Sequence, residues 1–355
     1  MLITPQLPGR TIWIEGQERL YFSGTSYLGM GHSEAFRELL HEGVVQYGTI
    51  YSSSRASNVQ LAIYEEAEEV LASVTGAEAA LTFSSGFQAG QAAVQSLAAT
   101  PTFCYAPHTH PAVWRNPSDA VYGDFAVWTS SVADQVAAAP GDVVIVANSL
   151  DPLRVRPYSF NWVADLPQSR PITLLVDDSH GLGITGENGE GIFATLKSLA
   201  PSNVTVVVIS SLGKAYGMPG GVVLGPQPFV SYLRKMPFFT AGSPMPPAYL
   251  SAFTRAQPLY QRARQQLFTS VSCFRQQTND LSIFRSQDRY PVFYTSDNSL
   301  APAVAPQAVL SSFSYPHPES DPITRVIVSS LHTEADLDIL EALVREYVHQ
   351  KNNLS

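Results

Sequence analysis

The sequence predicts an α/β protein with a mostly parallel central sheet and a second, smaller α+β domain. Two observations lead to this prediction. Short runs of β-branched residues, typical of strands buried on both faces, alternate with stretches of helical periodicity. A segment rich in proline and glycine over residues 238–247 then precedes a region of mixed strands and helices. The alternation favours a parallel sheet, and the break favours an appended domain.

The elements follow in order along the chain. Alternating apolar residues predict an N-terminal hairpin around residues 11–14 and 20–22, followed by a loop at Tyr27. Helical periodicity covers residues 33–46 and 60–75, and a small-residue helix is expected from about residue 91 to residue 98. The strands predicted for the central sheet are 79–83, 102–105, 126–129, 143–146, 172–176, 204–209 and 221–225. The C-terminal region carries strands at 290–294 and 324–329 and a helix over 334–349. The predicted domains are an N-terminal arm over 1–45, a large domain over 46–240 and a small domain over 241–355.

Composition excludes several classes of protein. The 355 residues are 45% hydrophobic, enough for a sizeable core, and only 14% are charged. The net charge of -9 argues against general binding to nucleic acids or anionic membranes, which requires basic surface. The two cysteines have neither metal-site spacing nor a partner pattern for disulfides, and no metal is predicted. No apolar run approaches the ~18 residues of a membrane span, and no leader pattern is visible, which favours a soluble cytoplasmic protein.

One lysine has an unusual position. The chain holds four lysines, and only Lys214 follows a predicted core strand and is framed by glycines. Burial removes solvation from an ammonium group and lowers its pKa, so that the amine can attack a carbonyl. Lys214 is therefore a candidate for a Schiff-base lysine, although a solvated loop lysine is the alternative.

Other polar groups also follow predicted strands. Asp177 lies just past the strand predicted at 172–176, and ligands of open parallel sheets bind beyond the carboxyl ends of strands. A carboxylate there can keep a cofactor's ring nitrogen protonated, although Asp is also a common turn residue. Ser84 to Phe87, between a strand and a helix, is a candidate phosphate cradle, because backbone N–H groups at a helix start favour anions. His108 and His110 follow a third strand and can stack on a ring or move protons.

These segments occur in the order found in the α-oxoamine synthases, which the chain resembles from about Tyr27 to the C-terminal helix. This family comprises fold-type-I enzymes dependent on pyridoxal phosphate (PLP) and includes 8-amino-7-oxononanoate synthase and 2-amino-3-ketobutyrate ligase. The most specific match is Leu-Gly-Lys-Ala-Tyr-Gly over residues 212–217, with the glycine pair 220–221. Val-Asp-Asp-Ser-His-Gly over 176–181 is similar to the family's Asp-Glu-Ala-His-Ser segment.

The resemblance implies roles for individual residues. Lys214 would form the Schiff base, Asp177 would pair with the pyridine nitrogen, His180 would contact the phenolic oxygen, and His110 would stack on the ring and join proton transfer. Arg325 would hold the amino-acid carboxylate, since a guanidinium can pair with it bidentately, and Tyr27 is a further candidate for the substrate side. The remaining residues expected to bind the cofactor are Ser85, Gly86, Phe87, Ser149, Ser211 and Ser243.

The chain departs from the family pattern on the substrate side. Residues 48–55 resemble the family's Gly-Thr-Gly-Ser-Ser-Gly-Ser-Arg but carry Ile50 and Ser53 where the family has glycines, and Tyr51 adds bulk. A family histidine downstream corresponds here to Ile63 or Tyr64. Asp178 replaces a glutamate. The cofactor side of the pattern is retained.

The resemblance implies a PLP-dependent acyltransferase that condenses an amino acid with an acyl-CoA, with loss of carbon dioxide. It also implies a homodimer with shared active sites and no nucleic-acid or membrane partner. Two alternatives are open: an aminotransferase or Cα–Cβ lyase acting on an amino acid, or a non-catalytic member that binds partners through a dimer surface. Retention of Lys214, Asp177, His180 and Arg325 together speaks against the last.

Overall fold

The computed structural model describes residues 2–151, 153–314 and 319–354. Its strands are β1 Thr11–Ile14, β2 Gln17–Phe22, β3 Ala79–Phe83, β4 Thr102–Tyr105, β5 Val143–Asn148, β6 Leu150–Asp151, β7 Arg156–Pro157, β8 Ile172–Asp177, β9 Val204–Ser211, β10 Gly221–Gly225, β11 Arg285–Ser286, β12 Val292–Thr295, β13 Ala308–Ser314 and β14 Pro322–Ile327. Its α-helices are α1 Glu34–Tyr47, α2 Ile63–Thr75, α3 Gly86–Ser96, α4 Phe125–Thr129, α5 Val132–Ala138, α6 Phe193–Leu199, α7 Gln227–Leu233, α8 Pro237–Thr240, α9 Pro247–Arg255, α10 Gln257–Thr278, α11 Leu300–Val304 and α12 Glu334–Leu354. Within these ranges, no helix combines the length and apolar character needed to cross a bilayer.

The chain forms two compact units, each discontinuous in sequence. The central unit comprises Glu34–Leu150 and Tyr158–Pro258, and the terminal unit comprises Met1–Ser33, Asp151–Pro157 and Leu259–Ser355. A linear pattern of predicted elements does not reveal such a division, because the N-terminal hairpin finds its sheet partner near the other end of the chain. The parallel pairing of β2 with β13 makes that connection.

The central unit is built on a six-stranded sheet in the order β3-β10-β9-β8-β5-β4. Strands β4, β5, β8 and β9 pair in parallel, and β10 runs antiparallel between β9 and β3. The predicted mostly parallel sheet is thus confirmed. The central strands are buried on both faces, as their continuous β-branched runs predict.

The terminal unit holds a second sheet in the order β1-β2-β13-β14-β12-β11, in which the pairs other than β2 with β13 are antiparallel. The predicted hairpin and the C-terminal strands and helix are part of this unit. The predicted α/β class with a second α+β region is confirmed.

Two local predictions are wrong, and a capping residue explains each. Residues 126–129 form helix α4 instead of a strand, because the Asp124 carboxylate accepts hydrogen bonds from the amides of Ala126 (2.8 Å) and Val127 (3.3 Å). The helix expected from residue 91 begins earlier, as α3, because the Ser85 hydroxyl accepts the Gln88 amide at 3.1 Å. Side-chain capping therefore outweighs the local apolar pattern at both positions.

His332 lies in the core of the terminal unit. Its ring stacks on Phe22 with centroids 4.1 Å apart, its Nδ1 accepts the Ser329 amide at 2.9 Å, and its Nε2 donates to the Tyr21 carbonyl at 3.0 Å. Burial lowers the pKa of His332 to about 4. The imidazole is therefore neutral in the folded protein over a pH range in which an unfolded histidine is charged.

We expect His332 to make the folded protein less stable in acid. Between about pH 6.5 and about pH 4 the unfolded chain binds a proton that the folded chain does not, so the free energy of unfolding falls as the pH falls, by up to about 3 kcal/mol. Urea denaturation across this range should show a shallower pH slope for His332→Gln than for the unmodified protein. The matched control is His349→Gln at an exposed position on α12. An identical pH slope in His332→Gln and in the unmodified protein would contradict the conclusion that His332 is held neutral in the folded protein.

Candidate active site

The carboxyl ends of the parallel strands meet at one edge of the central sheet. In the sheet register, Asn148 at the end of β5 pairs with Asp177 at the end of β8, and Asp177 pairs with Ile209 of β9. Because β10 is antiparallel to both β9 and β3, β3 also ends at this edge. The segments that follow these strands carry the residues predicted to bind the cofactor from positions 85 to 214.

Asp177 is held at the end of β8 by its own turn. The residue is 8% exposed, and its carboxylate accepts the Ser179 amide at 2.9 Å. The Ser149 amide donates to the Asp177 carbonyl at 2.9 Å, which ties the end of β5 to the same point. The Ser179 hydroxyl then accepts the Ser211 amide at 2.9 Å. These bonds join the ends of three strands around one carboxylate.

Lys214 lies in the loop after β9 and is partly buried. Burial lowers its pKa, and the negative charge of Asp177 raises it in part. Burial also lowers the pKa of His110, on which Asp177 and Lys214 act in opposite directions. Asp177 acts on both of the other groups and Lys214 acts on His110, so these three side chains lie within electrostatic range of one another. The structure thus brings together a carboxylate, an amine with a lowered pKa and an imidazole.

His110 is oriented by two contacts. Its Nδ1 accepts the Ala112 amide at 3.2 Å, which assigns the proton of the neutral ring to Nε2. Its own amide donates to Oδ1 of Asn148 at 3.3 Å, and Nδ2 of Asn148 donates to the His108 carbonyl at 2.8 Å. Sequence reasoning missed Asn148, because its only signal is its position at the end of a strand.

The segment predicted as a phosphate cradle lies at the start of helix α3. In the part of the chain that the structure describes, the amides of Gly86 and Phe87 donate no hydrogen bond, as expected of a first helical turn. Gly86 approaches the end of β9 closely, since a Cβ at this position would lie 2.7 Å from the Cβ of Ser211. A Cβ on Gly221 would lie 2.4 Å from the Ser85 carbonyl oxygen. Two glycines therefore allow the helix start to reach the sheet edge.

The other predicted residues of the central unit vary in their surroundings. His180 is half-buried in the turn after Asp177, and Ser149 is 5% exposed. Ser211 ends β9, and its Oγ accepts the Gly213 amide at 3.2 Å. Ser243 lies exposed between α8 and α9. Within the described ranges, no group of histidine, cysteine or acidic side chains is arranged to hold a metal ion.

Arg325 and Tyr27, predicted for the substrate, lie together in the terminal unit. Nη2 of Arg325 donates to the Ser311 hydroxyl at 3.0 Å. Burial lowers the pKa of Arg325, whereas Tyr27, Tyr290 and Asp151 raise it. Burial raises the pKa of Tyr27 to about 12. Tyr290, which sequence reasoning missed, packs on Tyr27 with ring centroids 6.4 Å apart.

The segment that departs from the family pattern is fixed within the central unit. Arg55 is buried and forms an ion pair with Glu68. The Glu68 carboxylate also accepts hydrogen bonds from Nη2 of Arg234 at 2.7 Å and from the Thr82 amide at 2.8 Å. The Tyr51 hydroxyl donates to the Val59 carbonyl at 2.6 Å. Glu68 was not singled out in the sequence, where it is one of several glutamates in a helical stretch.

Comparison with known proteins assigns the chain to a family. The model described as aminotransferase class I and II matches residues 158–340, which is more than half of the chain. This chain belongs to the aminotransferase class I and II family. An 8-amino-7-oxononanoate synthase from Erwinia tasmaniensis is 28% identical, with 96% of this chain and 92% of the relative covered.

Solved structures share the fold of this family member. A serine palmitoyltransferase with PLP has a TM-score of 0.84 at 15% identity, covering 100% of this chain and 94% of that one. An 8-amino-7-oxononanoate synthase from Francisella tularensis has a TM-score of 0.71 at 19% identity, covering 94% of this chain and 99% of that one. At these identities the likeness to solved structures establishes the fold. The names of the relatives support the resemblance to α-oxoamine synthases that the sequence motifs indicate.

We expect Gly86→Ala to destabilise the protein by about 1–3 kcal/mol, because the new methyl group would overlap Ser211 and force the helix start away from the sheet. Gly225→Ala is the matched control, since a Cβ there would meet its nearest neighbour at 3.5 Å, an ordinary contact. Urea denaturation of both variants is the measurement. Equal effects of the two substitutions would show that the close approach at Gly86 carries no cost.

Proposed function

We propose that the protein is a PLP-dependent acyltransferase of the 8-amino-7-oxononanoate synthase type, which condenses an amino acid with an acyl-CoA with decarboxylation. The observation that carries this proposal is the position of Lys214. Its amine has a pKa lowered by burial and lies within electrostatic range of Asp177 at the carboxyl edge of a parallel sheet. That combination suits covalent capture of an aldehyde cofactor beside a group that protonates its ring.

The residues at the sheet edge fit PLP chemically. The amides of Gly86 and Phe87, which donate no hydrogen bond within the described residues, suit a phosphate, and a glycine is required at position 86 by the contact with Ser211. We assign binding of the cofactor to Lys214, Asp177, His180, His110, Ser85, Gly86, Phe87, Ser149, Ser211 and Ser243. When bound, PLP supplies an electron sink for the carbanion at the substrate Cα.

The protein's own groups supply binding and proton transfer. The Lys214 amine and Nε2 of His110 are the candidates to move the proton at the substrate Cα, because both groups have pKa values lowered by burial and Nδ1 of His110 already accepts the Ala112 amide. In the terminal unit, Arg325 is assigned to the carboxylate of the amino acid, with Tyr27 nearby as a substrate-side residue.

We further propose that the protein is a cytoplasmic homodimer with shared active sites and that it acts on small molecules.

A second candidate function is transamination or Cα–Cβ cleavage of an amino acid with the same cofactor. It is favoured by the segment 48–55, where Ile50 and Ser53 occupy the positions of glycines and Tyr51 is bonded to Val59. These changes alter the side of the family pattern that the resemblance assigns to the substrate. The two functions differ in their need for coenzyme A thioester.

We expect Lys214→Ala to abolish the absorbance band at ~420 nm that the purified protein acquires with PLP, because the covalent link to the cofactor is lost. Lys197→Ala, at an exposed position on α6, is the control and should retain it. Absence of a cofactor band in the unmodified protein would reject the proposal. Release of coenzyme A only when an amino acid and an acyl-CoA are both present would support the acyltransferase. Keto-acid formation without acyl-CoA would support the alternative.

We expect Arg325→Lys to raise KM for the amino acid about tenfold, equivalent to about 1.4 kcal/mol, since lysine keeps the charge but loses the bidentate geometry. The change in kcat should be smaller. Arg285→Lys, at an exposed site on β11, is the control within the same unit. Steady-state kinetics with varied amino acid would decide, and an unchanged KM would remove Arg325 from the carboxylate site.

A further inference from the structure

Asp178 follows the proposed ring-nitrogen partner Asp177 and is 1% exposed. Its amide donates to the Ile209 carbonyl at 2.8 Å, and its carbonyl accepts the amides of Gly181 (3.0 Å) and Leu182 (2.9 Å). The side-chain Oδ2 accepts the Ile192 amide at 2.9 Å. One residue therefore joins the end of β9 to both ends of the turn over residues 178–192.

Two glycines enclose the carboxyl group. A Cβ on Gly181 would lie 2.0 Å from Oδ1 of Asp178, and a Cβ on Gly191 would lie 2.2 Å from Oδ2. Gly191 also has a φ of 74°, in the region that favours glycine. The carboxyl group of Asp178 therefore lies against two residues at which any side chain would overlap it.

The surroundings do not suit a second negative charge. In the part of the chain that the structure describes, Oδ1 has no hydrogen-bond partner of ordinary length. Burial and the negative charge of Asp177 raise the pKa of the Asp178 carboxyl, and they outweigh the Ser149 hydroxyl after β5 and the Ile192 amide, which lower it. The Ser210 hydroxyl of β9 donates to the backbone carbonyl of Asp178 at 3.4 Å rather than to its carboxyl group. Two adjacent buried carboxylates cannot both ionise without a large penalty.

We propose that Asp178 is a positioning residue that works as a protonated acid: it holds the turn that presents Asp177 and His180 without placing a second negative charge beside Asp177. The proposed function requires the negative charge of the pair on Asp177, for the cofactor's ring nitrogen, and the role of Asp178 rests on that function. Burial raises the pKa of Asp178 to about 7, in agreement with the geometry.

The same turn is linked to the loop of Lys214. Ser179, which follows Asp178, accepts the Ser211 amide through its hydroxyl, and Ser211 accepts the Gly213 amide next to Lys214. Two hydrogen bonds therefore connect the turn at Asp178 to the backbone of Gly213, the residue before Lys214.

The test compares Asp178→Asn, which imitates the protonated acid, with Asp178→Ala and with the control Asp134→Asn at an exposed position on α5. The first readout is Tm of the protein without PLP. Between about pH 4 and about pH 7 the folded protein holds a proton that the unfolded chain does not, so stability falls as the pH rises through this range. An asparagine cannot lose a proton. The unmodified protein should therefore lose stability relative to Asp178→Asn as the pH rises. The Tm of Asp178→Asn minus the Tm of the unmodified protein should increase by several degrees from about pH 5 to about pH 8.

The second readout is the Kd for PLP at about pH 6, from the visible absorbance. Asp178→Asn should remain within about threefold of the unmodified protein, whereas Asp178→Ala, which leaves the Ile192 amide without its partner, should bind about tenfold more weakly or fail to fold. Asp134→Asn should match the unmodified protein in both readouts.

Three outcomes would overturn the proposal. These are a pH-independent difference in Tm, a loss of PLP binding in Asp178→Asn as large as that in Asp178→Ala, or failure of Asp178→Asn to fold at about pH 6 while Asp134→Asn folds. A protein that shows the expected Tm behaviour but binds no PLP would support the protonated acid and reject the proposed function instead, so the two failures are distinguishable.

Discussion

The register of β8 against β9 is the constraint on which the candidate site depends. It sets Asp177 opposite Ile209, and the adjacent hydrogen bond from the Asp178 amide to the Ile209 carbonyl extends the pairing past the end of β8. A slip of one residue would reverse the faces of the side chains along the strand. The buried β-branched runs on both strands make such a slip costly, so the core fixes the position of the carboxylate.

Close backbone approach is the second requirement of this edge. Gly86 and Gly221 let the start of α3 meet the end of β9 and the start of β10, while Gly181 and Gly191 enclose the carboxyl group of Asp178. These glycines serve packing against specific neighbours. The polar groups of the edge are therefore held by backbone contacts, which a rigid sheet supports better than long side chains do.

Much of the fold follows from the sequence, because the central strands are fully buried and carry an unbroken apolar pattern. The strands at 143–148 and 204–211 are clear examples. The pattern fails where a single side chain determines the local structure, as Asp124 does at α4 and Ser85 does at α3. Lys214 and Asp177 were accessible to sequence reasoning through their positions after strands. Asn148, Glu68 and Tyr290 were not, since their importance lies in contacts with residues distant in the chain.

The sequence by itself determined the parallel sheet, the order of its strands along the chain and the candidate lysine, because periodicity and strand-end position are local properties. Only the tertiary structure decided that the hairpin over residues 11–22 pairs with β13, that Arg55 is buried against Glu68, and that Asp178 is enclosed by two glycines. The physical reason is that burial and charge coupling depend on which distant segments meet. A pKa such as that of Asp178, raised to about 7 by burial, is a property of the assembled site.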